Sequence, residues 1–393
     1  MENTKIHPNS CTRRNFVVAS GLLVVGSIVG CGKQTALTKS SRSRSPEIIR
    51  VRIAKKVTKV TIGGFDFVGK NNGDTPTTVE IKPKTTVIVN GNSKTITGRV
   101  VLHPITKDAD NSFDVIVHVP IEQYLPGVVA GELFAHWHFD TFAAQAVAAR
   151  SYAIAQHVAR KETSHFDVTD GPSSQMFLGD VTLDVAHRAV QETNGTVLQW
   201  NNEIIPAYYS ACCGGLAATA TDAISGAKQH DIPPLCGHKG KDFCTTVNNT
   251  HAWTANRSAR VLRKRLNACA KTLNLPELAN IRTIRAIEPV SMNMHGRPTK
   301  LAIYGSGSES CVVRTKDFVR AVNASIKHLP DISERARSSF LVGQKHGSTL
   351  QLDGHGMGHG VGLCQYGAQV LAGRGESWQN ILSWYYPQVT ICT

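Results

Sequence analysis

Beyond residue 47 the chain alternates apolar and polar positions over short stretches. "IIRVRIAKKVTKVTI" (48–62), "TTVEIKP" (77–83), "TTVIVN" (85–90), "RVVLHP" (99–104) and "FDVIVHVP" (113–120) are rich in Val and Ile and are separated by Asn, Gly, Asp and Pro. A period of two with frequent turn residues predicts short antiparallel strands, so residues 48–119 should form a strand-rich N-terminal lobe. At Pro120 the pattern changes. "DTFAAQAVAARSYAIAQHVAR" (140–160) is a run of good helix formers, with Asp140 placed to cap its start and enough Ala for neighbours to approach closely. "VLQWNNEIIPAYYSACCGG" (197–215) predicts a hairpin whose second strand runs into a glycine turn. Residues 257–274 predict a basic helix and residues 281–319 more strands. The end of the chain predicts a glycine loop, a helix over Cys364 to Ala372 and a second helix ending before Pro387. No βαβ alternation or internal repeat is visible. The fold class is therefore α+β: an antiparallel strand-rich lobe, then a helical region at 120–393 with a glycine-rich C-terminal loop.

One apolar run precedes these elements. Phe16 to Gly30 is uncharged, 15 residues long, and preceded by Arg13 and Arg14. A membrane span needs about 20 residues, so the order of charge and apolarity fits an export signal better. The paired arginines resemble a twin-arginine signal. "SIVGC" resembles a lipobox with Cys31 as the lipidated first residue of the mature chain. Residues 1–30 are accordingly expected to be an export signal, and residues 31–47, polar and basic, a flexible tether. The folded part should lie outside the cytoplasm, held to the membrane by its N-terminal lipid.

Charge changes the picture only at the N-terminus. The net charge is +14, but residues 1–60 contribute +10 of it and the other 333 residues +4. Basicity concentrated in a leader does not make a nucleic-acid-binding face, and no nucleic-acid partner is expected. Of ten cysteines, eight lie beyond the leader: Cys212, Cys213, Cys236, Cys244, Cys269, Cys311, Cys364 and Cys392. An even number outside the cytoplasm predicts disulfides. The group Cys212, Cys213, Cys236, His238 and Cys244 could instead bind zinc, but its spacing fits no standard zinc knuckle, so no metal or cofactor is expected.

Two short stretches carry candidate chemistry. In "GVVAGELF" (127–134) a single carboxylate, Glu132, stands among small and apolar residues. Either it is a half-exposed residue at a helix end, or it is a general acid whose proton is held by an apolar wall. "GHGMGHGVG" (354–362) places His355 and His359 four residues apart, a metal spacing only on a helix, which five glycines oppose. A ligand-facing loop presenting His359, Gln365 and Tyr366 fits better, since glycine lets backbone approach a ligand. Gln145, Tyr152 and Gln156 fall near one face of the 140–160 helix.

Taken together, "EQYLPGVVAGEL…WHFDTFAAQAVAARSYA", "AYYSACCGG" and "GHGVGLCQYGAQVLAGRGESWQNILSWYYP" resemble the SpoIID/LytB family over about residues 48–393. That resemblance implies a peptidoglycan lytic transglycosylase acting on glycan strands stripped of stem peptides, with the "GE" glutamate, Glu132, as acid and base. It implies a cleft lined by Gln145, Arg150, Tyr152, Gln175, Ser210, His359, Gln365 and Tyr366. One carboxylate suffices for such an enzyme, whereas ordinary glycosidases need two; Asp140, Asp167 and Asp170 are the candidates for a second. The family also contains amidase enhancers, so the alternative is a non-catalytic glycan-binding modulator partnered with a cell-wall amidase. Two departures stand out. The C-x4-H-C zinc cluster of some members falls on Val168, Ser173 and Ser174, which cannot bind metal, and Cys364 replaces a serine common in the loop. A third reading makes Cys364 a nucleophile with His359 as its base.

Overall fold

The computed structural model describes residues 48–69, 75–105, 110–226, 230–247 and 251–393. The stretches expected to be an export signal and a tether, with Cys31, lie outside the described residues. No helix among those described is long and apolar enough to cross a membrane.

The alternating N-terminal stretches form strands as expected. Ile48–Val57 pairs antiparallel with Phe113–Pro120 and, on its other edge, parallel with Val168–Thr169. Its period-two pattern puts Ile49 and Val51 into the core and leaves Arg50 and Arg52 at the margin. Arg99–Pro104 and Thr77–Glu80 extend this sheet to five strands. A second, four-stranded sheet contains Thr85–Val89 and Asn92–Ile96. These are joined at Asn90-Gly91, both with positive φ, as a two-residue hairpin requires.

Helix α1, Ile121–Glu132, follows the sheet directly and ends on the candidate acid. Helix α2, Phe139–Arg160, is surrounded: Ala143, Ala144, Ala146, Ala148, Ala149 and Ala153 are all fully buried. It packs against α1, against α3 (Asp184–Glu192), and against the C-terminal helices Gln365–Gly373 and Trp378–Tyr385. The cap of α2 differs from expectation. His138 occupies the N-cap without a side-chain bond, and Asp140 lies inside the first turn, where it accepts from the Trp378 N–H at 2.9 Å. Asp140 thus joins two helix starts rather than capping its own.

The predicted hairpin at 197–215 is shorter than expected. Val197–Trp200 turns back onto Glu203–Ile204, but Tyr209–Ser210 leaves that sheet and pairs parallel with Leu363–Cys364. This brings the "AYYSACC" segment beside the glycine loop. Gly362 makes it possible: its φ is +66°, and a Cβ there would lie 2.0 Å from the Tyr208 carbonyl oxygen.

Residues 252–352 contribute a second hydrophobic core, built around Leu266, Ile287, Leu301, Phe318 and Leu352. It is a six-stranded antiparallel sheet carrying Ala259–Thr272, the predicted basic helix, and Thr315–Val322. The unit interrupts the first core in sequence, because that core resumes at Val361 and runs to Tyr386.

Candidate functional site

Glu132 sits where α1 meets the segment Met176–Gly179. Gly127 and Gly131, one helical turn apart, permit that contact: a Cβ on Gly127 would lie 2.2 Å from the Gly179 carbonyl oxygen. The close approach brings the Met176 N–H to Glu132 Oε1 at 2.8 Å. The other oxygen, Oε2, accepts from the Gln365 amide at 3.1 Å, across 233 positions of sequence. Burial raises the Glu132 pKa, and hydrogen bonds from the Met176 N–H, Gln365 and Tyr209 only partly oppose it. Val128, Val129 and Leu133 are buried, whereas Phe134 is exposed.

A polar chain runs back from the acid into the core. Gln365 Nε2 lies 3.4 Å from Gln145 Oε1, and the Gln145 Nε2 has no hydrogen-bond partner. Gln175 accepts from the Tyr124 hydroxyl at 3.0 Å and donates to the Tyr209 hydroxyl at 3.0 Å and to the Ala149 carbonyl at 3.2 Å. Burial pushes both tyrosines well above the ordinary phenol range, so they remain neutral donors. Tyr366 packs edge-on against Trp137 at 5.1 Å, and Phe134 stands 5.4 Å from Trp137 and 6.4 Å from Tyr366. This aromatic group flanks the acid through Phe134, two residues after it, and Tyr366, next to Gln365. Tyr152 lies deeper, edge-on to Tyr208 at 5.7 Å and Tyr209 at 6.4 Å.

Three other expected site residues have different work. Arg150 is fully buried. Its guanidinium holds Glu122 through two bonds of 2.8 Å and also reaches the Thr196 and Val190 carbonyls at 3.1 and 3.3 Å. Ser210 accepts from the Gly360 N–H at 3.1 Å, which fixes the glycine loop. His359 Nδ1 accepts from the Val361 N–H at 3.0 Å; burial, then the Arg297 guanidinium, lowers its pKa to about 4. His359 is therefore a neutral ring at the glycine loop, edge-on to Tyr208 at 6.0 Å. Tyr209, which bonds Glu132, is the candidate-site residue that sequence reasoning missed. It neighbours Ser210 in a strand, where consecutive side chains point to opposite faces.

The candidate second carboxylates are all engaged elsewhere. Asp140 meets the Trp378 N–H, and Asp167 pairs with Arg50 and His157. Asp170 pairs with Lys94 at 3.1 Å and accepts from the Phe177 N–H at 3.0 Å.

The cysteines do not form the expected disulfides: all eight are free. Instead the Cys213, Cys244 and Cys364 sulfurs converge with Asp242 in the buried interior.

The SpoIID family profile, stage II sporulation protein, matches residues 109–200, which hold α1, α2 and Glu132. Over that segment the chain is similar to the SpoIID family. A profile for a domain of unknown function, DUF8618, matches residues 215–362, which include the second core. The amidase enhancer of Bacillus subtilis (strain 168) is 26% identical over 298 residues, covering 68% of this chain and 40% of that protein. Stage II sporulation protein D of the same organism is 24% identical over 320 residues, covering 75% of this chain and 80% of that protein. An uncharacterized protein of Brachyspira hyodysenteriae is 26% identical over 278 residues, covering 70% of this chain and 68% of that protein. The chain thus spans well under half of the amidase enhancer and most of the sporulation protein.

Proposed function

We propose that this SpoIID-family chain acts on the bacterial cell wall as a peptidoglycan lytic transglycosylase, cleaving denuded glycan strands with Glu132 as its one acid and base. The observation that carries the reading is a carboxyl with a raised pKa, held by the Met176 N–H and Gln365 while every candidate second carboxylate is bonded elsewhere.

Cleavage of a glycosidic bond needs a proton on the leaving oxygen. A protonated Glu132 supplies it as the C1–O bond breaks. The resulting carboxylate then takes the proton of the same sugar's 6-hydroxyl, whose oxygen closes onto C1 as a 1,6-anhydro ring. One carboxyl thus serves in turn as acid and base, and no water is consumed. Amide donors on Glu132 stabilise the intermediate carboxylate without supplying a competing proton acceptor. Phe134 and Tyr366 offer apolar faces for sugar rings.

The amidase enhancer among the relatives favours a second reading, a glycan-binding modulator of a wall amidase that uses the same surface without turnover. Mass spectrometry of denuded strands incubated with the protein separates the two. Anhydro-ended fragments are expected, reduced at least about 100-fold by Glu132→Gln. Reducing-end fragments would replace the anhydro route with hydrolysis. Intact strands that remain bound would leave the modulator.

A further inference from the structure

Three cysteines far apart in sequence meet at one point behind the glycine loop. Cys213 follows the Tyr209–Ser210 strand, Cys244 lies in the short turn Phe243–Thr246, and Cys364 immediately precedes Gln365. Their sulfurs and one carboxylate oxygen of Asp242 all lie within 4.8 Å of one another, and all four residues are buried. We propose that Cys213, Cys244, Cys364 and Asp242 bind a zinc-class divalent cation that fixes the chain entering Gln365.

The geometry is that of ligands gathered around a centre. Cys213 and Cys244 sulfurs are 3.7 Å apart, against about 3.8 Å for two thiolates at about 2.3 Å from one tetrahedral zinc. Three sulfurs and a carboxylate oxygen complete four positions, leaving none open for substrate, so the site is structural rather than catalytic. Thiolates select against magnesium and calcium, and the hard carboxylate ligand disfavours copper(I).

The surroundings are prepared for this charge. Asp242 Oδ1 accepts from the Cys244 N–H at 2.8 Å, which orients the carboxylate, while Oδ2, 3.1 Å from His238 Nε2, has no hydrogen-bond partner. The His238 ring is itself fixed by stacking on Trp384 at 5.3 Å. Arg297 is fully buried beside the cluster. Its Nη1 donates to the Cys213 carbonyl, while Nε and Nη2 have no hydrogen-bond partner, and no carboxylate pairs with it among the described residues. A buried guanidinium needs compensating negative charge, and thiolates bound to a cation provide it. The sulfurs also hold the backbone: the Cys213 N–H donates to Cys364 Sγ at 3.3 Å. Through Cys364 the cation would fix the start of the helix whose first residue, Gln365, bonds Glu132. Zinc binding here stands independently of the glycan-cleaving reading.

The test is metal analysis of the full chain purified anaerobically without chelator. About one equivalent of zinc is expected, and replacement by cobalt(II) should give the visible bands of a tetrahedral site with sulfur-to-cobalt charge transfer. Cys244→Ser and Cys364→Ser should lose the cation while Cys392→Ser retains it. Alkylation of the wild type keeps the proposal testable if those variants fail to fold. Cys213, Cys244 and Cys364 should be protected until a chelator is added, whereas the partly exposed Cys236 and Cys311 should react in both states. A cation-free protein overturns the proposal, whether its cysteines are reduced or Cys213 and Cys244 are joined as a disulfide. So does alkylation that a chelator does not change.

Discussion

Glu132 must carry a proton before it can donate one, and its hydrogen-bond donors work against that. Burial favours the neutral carboxyl; the Met176 N–H and the Gln365 and Tyr209 side chains favour the carboxylate, and burial prevails. Gln365→Leu removes one donor, so the Glu132 pKa should rise further. Activity that requires the protonated acid falls as pH rises through that pKa. The alkaline limb of the pH–rate profile for strand cleavage should therefore move to higher pH in the variant. The lost amide also steadied the carboxylate, so the maximal rate should fall about tenfold. A limb that stays fixed or moves to lower pH would detach Gln365 from the acid. At this scale the sequence was informative about residue types and poor about directions. Glu132, Gln365 and Gln145 are brought into one polar chain and Gln175 meets Tyr209, but Ser210 and Tyr209 differ only in the parity of a strand position. Nothing in "AYYSACC" states which of the two faces the acid.

Helix α1 is held at both ends by different chemistry. Its last residue is the proposed acid; near its first turn Glu122 receives the fork of Arg150 from α2. The same guanidinium reaches the Val190 and Thr196 carbonyls at the end of α3 and the turn that follows, so one side chain joins three segments. Arg150→Met removes the cation and leaves Glu122 and two carbonyls unmatched. It should cost about 3 kcal/mol in denaturant unfolding, the low end for a broken buried pair because Glu122 is partly exposed. Glycan binding by the folded variant should be unchanged; weakened binding at unchanged stability would restore Arg150 to the cleft. A helical wheel gives the angle at which Arg150 leaves α2 but not what stands there, and the neighbours arrive from residues 122, 190 and 196. Elements themselves were more legible. Period two marked strands such as Ile48–Val57 and Arg99–Pro104 because one face of each is more buried than the other, and the alanine run marked α2 because its alanines are enclosed by neighbouring helices. The start of α2 was misread because Asp140 answers a helix 238 residues away.

The division into two cores is the feature the sequence hid most completely. Apolar periodicity shows that a residue is buried, not with which others, and residues 252–352 are as regular as those around them. The inserted unit closes on itself because its entering and leaving strands pair, Ala252 opposite His355. It is nevertheless joined to the first core, by Lys316 Nζ donating to the Ile224 carbonyl at 2.9 Å and by a hairpin tip. There Asn293 Nδ2 donates to the Ala217 carbonyl at 3.0 Å, and Arg297 Nη1 reaches the Leu216 carbonyl at 2.9 Å and that of Cys213. His295 Nε2 lies 2.6 Å from the Cys236 carbonyl oxygen. Arg297 is the buried member of this junction, so it should couple the two cores into one cooperative transition. Arg297→Met leaves two buried carbonyls without their donor, at about 2–3 kcal/mol. Calorimetry should then resolve two steps. The first core should melt about 5–10 °C earlier, given about 2–4 °C per kcal/mol at this size, and the inserted core near the wild-type temperature. If the wild type already melts in two steps that the substitution leaves unchanged, the tip contact carries no coupling. If the variant melts in a single, uniformly lowered step, the cores are joined by more than this hairpin.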